Sequence, residues 1–109
     1  MISNREPITD VLSAIKTAYD IDSVYSHFTN GHAYPFIAYI GNGQSQLMAD
    51  GTAYWRGNTY QVELYFKKKD ESLEEDIEDA FLAGGWNFSK SEDVYISDEG
   101  VFYITYQLS

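Results

Sequence analysis

The sequence predicts an α+β fold, an antiparallel β-sheet of hairpins with two helices packed on one face. Three observations predict it. Two segments carry apolar residues at helical spacing, one stretch from Thr59 to Lys67 alternates without a break, and the elements run helix, hairpin, hairpin, helix, hairpin. That order suits an antiparallel sheet covered by helices on one side. The 109 residues, 44% of them apolar, are enough for one core. No linker, repeat or low-complexity stretch divides the chain, so residues 1–109 read as a single α+β domain.

The first helix is expected over residues 6 to 19. Ile8, Val11, Leu12, Ile15 and Ala18 recur at helical spacing behind Pro7, and Tyr19 extends the stripe. Proline suits a first helical turn, where its missing N–H has no helical partner to lose. Ser23 to Phe28 and Tyr34 to Ile40 read as two strands joined by an Asn30-Gly31 hairpin, because both turn residues tolerate positive φ. Residues 41 to 51 read as a loop or an irregular strand. Ala53-Tyr54-Trp55 then leads into a turn signal at Arg56-Gly57-Asn58. In the next strand Tyr60, Val62, Leu64 and Phe66 point one way and Gln61, Glu63, Tyr65 and Lys67 the other, a half-buried strand.

A second helix is expected over residues 70 to 83. Leu73, Ile77, Ala80 and Phe81 make its apolar stripe, Ser72 with Glu75 reads as a capping box, and Gly84-Gly85 supplies the C-terminal stop. Strands follow at Trp86 to Phe88, Asp93 to Ile96 and Val101 to Leu108, the last two joined by a turn at Asp98-Glu99-Gly100.

Net charge is −10, from 17 acidic and 7 basic residues. Such a chain repels phosphate, which argues against sequence-specific nucleic-acid binding. Three of the seven cations are consecutive, Lys67, Lys68 and Lys69, and read as a solvated strand end. The absence of cysteine excludes disulfides and thiolate chemistry. No apolar run reaches the roughly 18 residues of a membrane helix. Met1 to Thr9 lacks the apolar core of a signal peptide, so the protein is expected to stay in the cytoplasm of its host.

No residue set points to catalysis. Nucleophile–base spacings and phosphate-binding glycine loops are missing. His27 and His32 could approach one another across a hairpin, but no third ligand of ordered spacing accompanies them, so neither a metal nor another cofactor is expected. Asp70 to Asp79 holds the densest carboxylates, and Glu71, Glu74, Glu75, Glu78 and Asp79 are expected to form a solvated acidic face supported by the helix dipole. Tyr54, Trp55, Arg56 and Asn58 have the composition of a protein-interface hot spot; packing of Tyr54 or Trp55 into the core is the equal alternative.

The helix near Pro7, the strands around Val24-Tyr25 and Pro35-Phe36-Ile37, and the strand Tyr60 to Phe66 form a pattern along the chain. The acidic helix from Leu73 to Ile77, its end at Gly84-Gly85-Trp86 and the final hairpin complete it. In this order and these short patterns the sequence resembles the small tail-completion or tail-terminator proteins of long-tailed bacteriophages, which join tail tube to head. The resemblance implies an α+β fold, a homo-oligomeric ring (often a hexamer) and docking to tail-tube or head-completion proteins. It also implies residence in the host cytoplasm during assembly and then at the virion tail or head–tail junction, with no enzyme activity. The competing reading is a small acidic binding or inhibitory module that mimics nucleic acid or meets a basic partner, through salt-sensitive contacts of the 70–79 acids. An enzyme with a shallow site is the third, with no residue set to support it.

Overall fold

A computed structural model describes residues 5–26, 33–49 and 52–109, with backbone alone for 44–49 and 52–57. The elements are α1 (Ile8–Tyr19), β1 (Asp22–Tyr25), β2 (Phe36–Ala49), β3 (Thr52–Phe66), α2 (Glu71–Ala83), β4 (Phe88–Lys90), β5 (Val94–Ile96) and β6 (Val101–Leu108). The strands lie in the order β1-β2-β3-β6-β4, and β5 shares the outer edge of β6. The α+β class holds.

Alternation in β3 sets the layers. Val62, Leu64 and Phe66 are buried, and across the ladder they meet Tyr106, Ile104 and Phe102 of β6, while Ile37 of β2 faces Leu64. Both helices cover this one face. Ile8, Val11, Leu12 and Ile15 of α1 and Ile77 and Phe81 of α2 join the strand residues in one core cluster. The three-to-four spacing of these residues thus becomes a buried stripe, as the sequence implies.

The helix ends are settled by local chemistry. Asp70, not Ser72, caps α2: its carboxylate accepts from the Leu73 N–H at 3.1 Å. The expected capping box is therefore displaced, because aspartate caps as well as serine and stands just before the first helical residue. At the other end Gly85, at φ 85°, allows the Gly85 N–H to reach Leu82 O at 3.0 Å and the Trp86 N–H to reach Phe81 O at 3.0 Å. These are the two bonds of a Schellman stop. Gly84 has a different task. It lies where the helices cross, and a Cβ there would stand 2.6 Å from Val11 Cγ2. Its carbonyl also accepts from the Glu6 N–H at 2.8 Å, tying the start of α1 to the end of α2.

Two expectations about the strands are corrected. β1 and β2 do not form a hairpin; they pair in parallel, Asp22 beside Phe36 and Tyr25 beside Tyr39. The Asn30-Gly31 turn lies outside the described residues. Strand direction here is set by the neighbours. Asp20, at φ 57°, turns the chain out of α1 through the buried Ile21 into β1, and β2 takes its direction from β3. Nor is there a turn at Arg56-Gly57-Asn58. Thr52–Phe66 is one continuous strand, and Gly57 pairs with Ser45 within it. For residues 41 to 49 the irregular-strand alternative holds, since they belong to β2.

Replacing Gly84 with alanine is expected to destabilise the fold by about 1–3 kcal/mol in urea unfolding, the usual range for overpacking. Adding Val11→Ala removes the obstructing methyl, so the double variant is expected to lose less than the sum of the two single changes.

Candidate functional site

β2 and β3 outrun the sheet. β1 accompanies β2 only to Tyr39, and β6 accompanies β3 only from Tyr60 onward. Beyond those points the two strands pair solely with each other, Gln44 with Asn58 through Ala49 with Thr52. They form an arm of about six residues per strand, roughly 20 Å long at the usual strand rise. Among the described residues no third strand touches it. A two-stranded ribbon by itself is marginal in water.

The arm departs from the sheet at a bulge. Asn42 and Gly43 oppose the single residue Thr59, Gly43 takes φ 92°, and the Thr59 hydroxyl donates to the carbonyls of Asn42 (3.0 Å) and Gly43 (3.1 Å). The Asn42 amide also donates to Gln107 Oε1 at 2.7 Å, fastening the arm's base to β6. A second shift between Leu47 and Met48 leaves Tyr54 as the extra residue of β3. Strict alternation fails at such a bulge, so it does not decide which of Tyr54 and Trp55 faces outward. The side chains of Tyr54, Trp55 and Arg56 lie outside the described residues; Asn58 is exposed at the arm's base.

At the opposite end of β3 lies a cleft of about 780 Å³. Leu64, Phe66 and Leu73 give it apolar lining, with Tyr34 and Pro35 beside them. Lys67, Lys68 and Lys69 also line it and are exposed. Lys67 Nζ stands 5.1 Å from the Tyr34 ring centre, a cation–π contact. The lysine run is thus part of a concavity, which a strand-end reading of the sequence missed. Its signal was local: three of seven cations follow directly on the apolar Phe66.

The acidic helix divides into two sets. Glu71, Glu75 and Asp79, spaced four apart, are exposed as expected. Glu74 is not part of a solvated face. It is only 2% exposed and is held by two lysines. Lys69 donates to its Oε1 at 3.0 Å and makes a charge contact with Oε2 at 2.8 Å, while Lys90 reaches Oε1 at 2.9 Å. Glu78 is half-buried, with Lys90 at 2.8 Å and the Tyr106 hydroxyl donating at 2.7 Å. The reason was visible in the spacing: Glu74 precedes Ile77 by three and Phe81 by seven, on the apolar stripe itself. The partners come from the segment after β3, from β4 and from β6, which only the fold brings near.

Burial alone would lower the pKa values of Lys69 and Lys90, but the hydrogen bonds to Glu74, Asp93 and Glu78 outweigh it, and both are raised. Burial pushes the Tyr106 phenol well above its ordinary 10.0, and the bond to Glu78 adds to the shift. Tyr65 is raised by burial and by its 2.9 Å bond to Glu63. Tyr65 belongs to the sheet face that the helices leave open. There Phe36 stacks on it at 4.9 Å and Tyr103 lies 5.4 Å away, an aromatic row across three strands.

The described residues hold no group of three His, Asp or Glu able to bind a metal, and no described helix is long and apolar enough to cross a membrane. His27 and His32 lie outside the described residues. No protein-family model matches the chain, and no curated protein matches its sequence.

Glu74→Gln is expected to cost about 1–3 kcal/mol in urea unfolding, because it takes the matching charge from Lys69 and Lys90 and leaves a buried amide facing donors alone. Glu75→Gln, on the solvated side, is expected to stay within about 0.5 kcal/mol. Tyr106 is raised in the fold, so its contribution is fully present below its unfolded pKa and is lost as pH climbs through the folded value. Stability is therefore expected to fall above about pH 10, with a slope of up to about 1.4 kcal/mol per pH unit for each such group. Tyr106→Phe is expected to make that alkaline loss shallower.

Proposed function

We propose that this protein is a structural component of a phage or prophage tail. It would act as a tail terminator, completion protein or head–tail connector through ring-like self-assembly and docking to the tail tube or head-completion proteins. The observation that carries the assembly reading is the arm of residues 44–49 and 52–58, a two-stranded ribbon that leaves the sheet with no further strand beside it among the described residues. Such a ribbon gains most when a neighbouring molecule covers it. The order of elements and the resemblance set out above support the tail context. The acidic balance fits as well, since a negatively charged ring does not hold passing DNA.

Light scattering and electron microscopy of purified protein test this reading. The wild-type chain is expected to form rings or discrete multimers at high concentration. A variant in which residues 44–57 are replaced by an Asn-Gly turn should keep its circular dichroism spectrum and lose the multimers. A wild-type chain that stays strictly monomeric sinks the reading.

A further inference from the structure

With 17 acidic residues to 7 basic ones, a lysine of this chain has carboxylates in plenty to pair with. Three lysines do so twice over. Lys16 holds Asp20 and Asp22, Lys69 holds Glu74 and Asp93, and Lys90 holds Glu74 and Glu78. Lys67 and Lys68 meet no carboxylate among the described residues, and both line the cleft at the end of β3. Asp70 is the one carboxylate among the described lining residues, and it is engaged by the Leu73 N–H as the cap of α2. An occupant of the cleft therefore meets uncompensated positive charge on an otherwise acidic molecule.

That charge is spread out. Lys67 stands on the Tyr34 wall, 5.1 Å from the ring centre, whereas Glu74 draws Lys69 toward α2. Leu64, Phe66 and Leu73 give the cleft an apolar lining between them. Its volume of about 780 Å³ exceeds what a single inorganic anion fills and lies within the roughly 300–1,000 Å³ of clefts that enclose organic ligands. A long polyanion such as nucleic acid would bring its further phosphates against a chain carrying −10. The arrangement matches a short segment with separated carboxylates and an apolar side chain among them.

We propose that the Lys67–Lys69 cleft binds an acidic peptide segment of a partner protein, seating an apolar side chain against Phe66 and Leu73 and setting its carboxylates on Lys67 and Lys68. Such a contact is salt-sensitive, and its charges govern which segment is accepted. It needs no ring, so it goes beyond the self-assembly reading and stands or falls separately from it.

Isothermal titration calorimetry of the full chain with the blocked peptide Glu-Glu-Phe-Glu-Glu tests the proposal. One-to-one binding that weakens as salt is added is expected. The analogues Gln-Gln-Phe-Gln-Gln and Glu-Glu-Gly-Glu-Glu, which lack the charge or the ring, are each expected to bind about tenfold more weakly or worse. Lys67→Gln with Lys68→Gln is expected to cost the acidic peptide a similar factor. Ser13→Glu with Ala14→Glu, on the exposed side of α1, lowers the net charge by the same amount and is expected to change binding by less than about twofold. Failure of the acidic peptide to bind, equal binding of the three peptides, or equal losses in the two paired variants overturns the proposal. Tighter binding of a short oligothymidylate than of the acidic peptide overturns it too, in favour of a nucleic-acid site. A wild-type chain that binds the peptide yet stays monomeric supports this contact while sinking the self-assembly reading.

Discussion

The hydrogen-bonded register of β3 between β2 and β6 is the constraint on which the rest depends. With Leu64 opposite both Ile37 and Ile104, three strands present one apolar face at the same level. A slip of one residue would turn Val62, Leu64 and Phe66 to the open side and replace them with Gln61, Glu63 and Tyr65. The helices cover the face that this register builds. Their crossing is close because Gly84 leaves room for Val11, and the Schellman stop just after it directs Trp86 back toward the start of α1. There the Trp86 ring N–H donates to the Glu6 carbonyl at 3.0 Å.

The same strand links the core to the two candidate surfaces. Its early half leaves the sheet at the Asn42-Gly43 bulge, where an extra residue twists the ribbon away. Its last residues deliver Lys69 to the first turn of α2. The Glu74 pairs therefore fix both the seat of α2 on the sheet and the wall of the cleft beside it. A buried carboxylate between two lysines is weak evidence for added stability over an apolar residue. Its clearer effect is positional, since Lys69, Lys90 and Tyr106 from three separate segments converge on Glu74 and Glu78 of α2.

The charge distribution acquires a direction from this arrangement. A count of −10 suggests a uniformly acidic particle. In the fold, Glu74 and Glu78 are matched internally, and Glu71, Glu75 and Asp79 remain as the exposed row on α2. The three-lysine cluster gathers at one end, and the arm strands 44–49 and 52–58, which hold no Asp or Glu, extend from the other.

The sequence by itself determined what repeats locally. Helical spacing located α1 and α2 to within two residues, and the two-residue period of Thr59 to Lys67 placed the core face of β3. The final hairpin was legible from its turn at Asp98-Glu99-Gly100, where the Gly100 N–H bonds Ile96 O at 2.9 Å. Only the tertiary structure decided which strands pair and which charges meet. The Asn30-Gly31 signal described a local preference, whereas the parallel pairing of β1 with β2 depends on contacts made from α1 and β3. Gly57 reads as a turn former until strand pairing across the arm makes it part of a ladder. Glu74 read as solvated because its cations stand 5 and 16 positions away in the chain. Local preferences are written in neighbouring residues; the arm, the cleft and the buried carboxylate exist only once distant segments are brought side by side.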